Sequence, residues 1–120
     1  MILVAVDDFL FRSKIRATAK HTGVDVTFAR TAAEVLEQAR TSKPSLLILD
    51  LNSAALEPIE TLAALKADAE LAGIRTLGFV SHVDTARIQA AREAGAAQVM
   101  ARSAFAGQLA EILLAAAGQP

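Results

Sequence analysis

The chain has no cysteine, so a disulfide framework and thiol chemistry are both excluded, which suits a reducing cytoplasm. It has no tryptophan or tyrosine and only five phenylalanines, too few aromatics for a base-stacking surface. Twelve basic and thirteen acidic residues leave a formal charge of −1, without the basic footprint of a direct nucleic-acid binder. The opening MILVAVDD lacks the basic start, long apolar stretch and small-residue cleavage site of a signal peptide. No apolar run approaches the roughly 20 residues that span a membrane. No linker, charge block or low-complexity tract divides the sequence. A chain of 120 residues is expected to form one domain, 1–120, burying roughly two thirds of the surface its unfolded state exposes.

What the sequence does contain is a rhythm. Short apolar runs recur at 2–6, 24–29, 46–51, 76–80 and 98–101, separated by segments with helical spacing. ILVAV and LLIL are continuous rather than alternating, the pattern of parallel strands covered on both faces. A parallel neighbour requires a crossover, usually a helix. The segment after Thr31 has a Thr31–Glu34 capping box with Ala32, Val35, Leu36 and Ala39 on one stripe. Pro58 opens the next helix, where a missing N–H does no harm, with Ile59, Leu62 and Leu65 inward. A helix over about 84–94 stops at Gly95, and one over about 9–21 turns Phe11, Ile15 and Ala19 inward and stops at Gly23. Leu109, Ile112, Leu113 and Ala116 mark the last. Five strands alternating with five helices predict an α/β, doubly wound parallel sheet, and sites in such sheets form beyond the carboxyl ends of the strands.

At those ends stand Asp7 and Asp8 after the first strand, Asp50 after the third, Ser81 after the fourth and Arg102 after the fifth. Crowded carboxylates raise one another's pKa, and a divalent cation reverses that cost. Mg²⁺ suits such an oxygen site. A carboxylate can also attack phosphorus to give an aspartyl phosphate, whose oxygens a metal and a basic side chain would balance.

These residues carry a resemblance. VDDF (6–9), LLILDLN (46–52), GFVS (78–81) and GAAQVMAR (95–102) together resemble a response-regulator receiver domain of bacterial two-component signalling, nearest in layout to the stand-alone chemotaxis type, over essentially the whole chain. The resemblance implies a flavodoxin-like sheet of order 2-1-3-4-5. It makes Asp50 the phosphoacceptor of a phosphorelay and Asp8, with Asp7 behind it, the holder of Mg²⁺. The backbone carbonyl of Asn52 becomes a third protein ligand and Ser81 the switch hydroxyl. A histidine kinase or phosphotransfer protein would donate the phosphoryl group. No output domain is expected on this chain, so output would pass through contact with a protein target, on a surface including Arg87, Arg92, Val99, Gln108 and Glu111. Such a regulator is not an enzyme beyond its own phosphorylation and dephosphorylation, and is expected in the cytoplasm as a monomer or weak homodimer.

Several positions depart from the family pattern. Arg102 replaces a lysine, keeping the charge on a longer, planar group. Ser103 replaces a proline that follows in a cis peptide link. SAALEP (53–58) replaces a Met-Pro pair and its loop. Val99 replaces the switch aromatic, and His82 stands where a small residue is common and would gate the site. The departures support an alternative, a degenerate receiver acting as a phosphorylation-independent interaction module. A metal-dependent phosphatase would pair its nucleophile with a second aspartate two residues on, where this chain has Asn52. A flavin site would need a phosphate-binding loop after the first strand, where DDFLFRS is acidic and without glycine.

Overall fold

The structure, a computed structural model, describes residues 1–81 and 84–118. Five strands, β1 (Ile2–Ala5), β2 (Val26–Ala29), β3 (Leu46–Asp50), β4 (Arg75–Val80) and β5 (Gln98–Ala101), form one sheet in the order β2-β1-β3-β4-β5. Every pairing is parallel, with Ala5 beside both Ala29 and Leu49, and Asp50 beside Phe79. The expected flavodoxin-like order is therefore the observed one. Strand order reverses between β1 and β3, which opens a crevice at their carboxyl ends.

The helices are α1 (Phe9–Thr22), α2 (Ala32–Ser42), α3 (Pro58–Ala67), α4 (Thr85–Ala94), α5 (Arg102–Gly107) and α6 (Leu109–Ala117), with a short 3-10 turn at Ala54–Leu56. Six helices replace the expected five because the last segment breaks at Gly107–Gln108. Gln108 leaves helical geometry at φ −110° and ψ 12°, and its N–H goes to the carbonyls of Ala104 and Phe105. Glycine just before it lowers the cost of that break. β5 accordingly ends at Ala101, and Arg102 opens α5. No peptide bond among the described residues is cis.

Helix boundaries follow local chemistry. Asp8 caps α1, its Oδ1 accepting from the N–H groups of Leu10 and Phe11 at 3.0 and 3.2 Å. Thr31 Oγ1 accepts the Glu34 N–H, but Glu34 Oε2 takes the N–H of Arg30 rather than that of Thr31, so the capping box is closed one residue early. Gly23 and Gly95 end α1 and α4 at φ 75° and 119°, the left-handed conformation glycine reaches without strain.

Alternate residues of each central strand feed opposite layers. Ile2, Val4 and Ile48 join Phe11, Ile15, Phe105 and Leu113 beneath α1, α5 and α6. Leu3, Leu47 and Leu49 join Val35, Leu62, Leu65 and Ala91 beneath α2, α3 and α4. Both faces are covered, the physical reason the strands read as unbroken apolar runs. On β4, Gly78 admits the fully buried side chain of Leu51, whose carbons lie 2.8–3.0 Å from where a Cβ would stand. Leu51 is fully buried and cannot swing out into solvent. Gly78→Ala is therefore expected to cost about 1–3 kcal/mol by overpacking, read as a lower thermal midpoint by circular dichroism.

Candidate functional site

Asp50 is the last residue of β3 and only 6% exposed, the one buried carboxylate among the described residues. Burial raises its pKa above the ordinary 3.8; the N–H of Asn52 and the charge of Arg102 oppose the rise, and the charges of Asp8 and Asp7 add to it. The backbone N–H of Asn52 donates to Asp50 Oδ1 at 2.9 Å, which fixes one carboxylate oxygen; the other has no hydrogen bond among the described residues.

Asn52 also carries a function that sequence reading missed. Its side-chain Oδ1 accepts the N–H of Ser81 at 2.6 Å, tying the loop after β3 to the end of β4. Arg87 Nη1 donates to the carbonyl of Leu51 at 2.8 Å and Arg87 Nε stands 3.5 Å from Asp84. A residue expected on an output surface thus supports the loop after β3. Arg92 and Val99 line a cavity at the edge of the sheet, whereas Gln108 and Glu111 line a separate one of about 230 Å³. The five expected output residues do not share one pocket. His82 lies outside the described residues.

The remaining acids are each met by an arginine. Arg102 Nη2 donates to Asp8 Oδ2 at 2.7 Å while its guanidinium lies 4.1 Å from the centre of the Phe11 ring. The Arg102 hydrogen bond, followed by that from the Phe11 N–H, lowers the Asp8 pKa below 3.8. Asp7 Oδ1 stands 3.5 Å from Arg30 Nε. Among the described residues no three acidic, imidazole or thiol side chains converge as a metal cluster. Asp50 senses the charges of both Asp8 and Asp7, so the three acids expected to share the rim act on one another, while Asp7 also pairs with Arg30. The position of Arg30 carries a sequence signal. It follows β2 directly, and β2 pairs with β1, so Arg30 stands on the same rim as Asp7.

With this geometry in place, comparison with known proteins gives one decisive result. The family model for the response regulator receiver domain matches residues 2–114. The chain belongs to that family. Solved structures share the receiver fold. A response regulator from Hahella chejuensis is 21% identical with a TM-score of 0.86, over 98% of this chain and 94% of its own. The phosphorylated cyanobacterial phytochrome response regulator RcpA is 24% identical with a TM-score of 0.78, over 93% and 86%. The Mn²⁺-bound form of response regulator Rcp1 is 17% identical with a TM-score of 0.78, over 92% and 89%. No curated protein matches the chain. Among the described residues no helix is long and apolar enough to cross a membrane.

The donor chemistry of this receiver suits a hard divalent ion: carboxylate oxygens from Asp8 and Asp50 and the backbone carbonyl of Asn52. Asp8 Oδ1 already accepts two backbone N–H groups and Oδ2 accepts from Arg102, so an ion taking Oδ2 would compete with the guanidinium. The Arg102 and Asp8 side chains are 31% and 40% exposed, and exposed pairs are worth about 0–1 kcal/mol. Displacement is therefore cheap.

Proposed function

We propose that this receiver takes a phosphoryl group on Asp50 from the phosphohistidine of a histidine kinase or phosphotransfer protein in the cytoplasm. The observation that carries the reading is a buried carboxylate at the crevice with one oxygen held and the other unbonded among the described residues. The second oxygen forms a bond to phosphorus as the phosphorus–nitrogen bond of the donor breaks and its electron pair returns to the imidazole. Asn52 keeps the carboxylate in register through its N–H. Arg102 lies in the field of Asp50 and would turn from Asp8 toward the incoming phosphoryl oxygens, and the Ser81 hydroxyl would donate to one of them. Mg²⁺, held by Asp8, Asp50 and the Asn52 carbonyl, would neutralise charge on the same oxygens.

The donor needs a surface to dock on, and Phe9 and Leu10 are 67% and 77% exposed beside the site, an apolar step suited to a protein. Output is to a downstream protein target, from a monomer or weak homodimer. The regulator turns over no external substrate. Incubation with Mg²⁺ and acetyl phosphate is expected to add one phosphoryl group at Asp50 by intact mass, and beryllofluoride is expected to shift the Ser81 amide in NMR spectra. Absence of both would favour the second reading, a phosphorylation-independent interaction module, for which the Arg102–Asp8 pair is the specific support.

The competition at Asp8 makes a separate prediction. Arg102→Ala is expected to tighten Mg²⁺ binding by up to about fivefold, the equivalent of about 1 kcal/mol for an exposed pair. A metal titration followed by amide shifts measures it; weaker binding would show that Arg102 does not compete.

A further inference from the structure

A cavity of about 680 Å³ opens where the sheet ends at β5, between α4 and α5. Its volume falls within the roughly 300–1,000 Å³ of small-molecule sites. Three cations from three helices line it: Lys14 of α1, Arg92 of α4 and Arg102 of α5, with the hydroxyls of Ser81 and Ser103. Among the described residues no acidic side chain lines it, and the other lining residues are apolar, including half-buried Val99 and Met100. Among the described residues neither Lys14 nor Arg92 forms an ion pair, and Arg102 has the single partner Asp8. On a chain of net charge −1, this is a local concentration of positive charge around an apolar floor.

We propose that this cavity binds a small amphipathic anion: one phosphate, sulfonate or carboxylate group on an aromatic or short aliphatic body. The body would cover Val99 and Met100, and the anionic group would take the cations and hydroxyls at the rim. Charge complementarity selects the anion, and the apolar wall selects against a bare inorganic one. Arg102 is shared between the cavity and Asp8, so an anion in the cavity draws the guanidinium from Asp8 Oδ2. The ligand therefore reports on, and acts on, the rim of the acceptor site. The inference does not depend on phosphorylation of Asp50, and its test uses neither metal nor phosphodonor.

The full chain is titrated with phenyl phosphate, with inorganic phosphate and with benzyl alcohol, following backbone amides by NMR. Phenyl phosphate is expected to shift Val99, Ser103 and Lys14 saturably, at least tenfold more tightly than either other probe. The amides of Leu10 and Phe11, which donate to Asp8 Oδ1, are expected to move on the same isotherm. Val99→Phe, which fills the floor, and the Lys14→Glu, Arg92→Glu pair, which reverses the rim, should each weaken phenyl phosphate at least tenfold while keeping a dispersed spectrum. Equal binding of benzyl alcohol, non-saturating shifts scattered over the surface, or full affinity in folded Val99→Phe would overturn the site. Saturation without movement at Leu10 and Phe11 would overturn the shared arginine.

Discussion

Phe79→Ala is expected to remove about 3–5 kcal/mol of stability, the range for truncating a buried phenylalanine. Phe79 has no exposed surface. Its ring stacks on Phe105 of α5 at 4.9 Å with 3° between planes, and meets Phe11 of α1 edge-on at 5.3 Å. Phe11 and Phe105 also touch each other, at 5.9 Å. One ring on β4 therefore holds two helices that are distant in sequence, and truncation leaves a void neither neighbour can fill without moving its helix. Against a typical total of about 5–15 kcal/mol the loss is severe. Without tryptophan or tyrosine, the measurement is urea unfolding by circular dichroism, with a lower midpoint and an unchanged slope. A loss below about 1 kcal/mol would mean that the three rings do not form a joint core.

Asp50→Asn is expected to act in opposite directions on function and stability. No phosphoryl adduct should form, because the amide is not a nucleophile toward phosphorus. Stability at neutral pH should rise. Burial raises the folded-state pKa of Asp50 above 3.8, so between the unfolded and folded values the native state holds more protons than the unfolded one. Native stability then falls as pH rises through that window and stays at the lower level above it. Asparagine has no such ionisation, and its carbonyl still accepts from the Asn52 N–H. The thermal midpoint of the variant should therefore exceed that of the parent at pH 7, by more than any difference at pH 3.5. An offset independent of pH would show that ionising Asp50 carries no penalty.

The chemistry of the site lies in residues that are far apart along the chain. Arg102 and Asp8 are separated by 94 positions, and their pairing depends on β5 and β1 ending on the same rim. The pairing of Asp7 with Arg30 needs the β1–β2 register, and the bond from Arg87 to Leu51 needs α4 to lie over the loop after β3. Nothing in the local pattern near any of these arginines names its partner. The separate helix α5 was equally hidden, because the inward spacing of Leu109, Leu113 and Ala116 begins only after Gln108 and, within α5, Phe105 alone is buried.

By itself the sequence determined the alternation of strands and helices, the caps at Thr31, Gly23 and Gly95, and the arrival of Asp50 at the end of a buried strand. These follow from short-range chemistry: apolar runs, hydroxyl acceptors, and glycine's access to positive φ. Only the tertiary structure decided which cation faces which carboxylate, how the Asn52 side chain ties two loops together, and that a cationic cavity opens at the sheet edge. Such contacts are set by distances across the fold, and several basic side chains of similar reach compete for each acid until packing selects one.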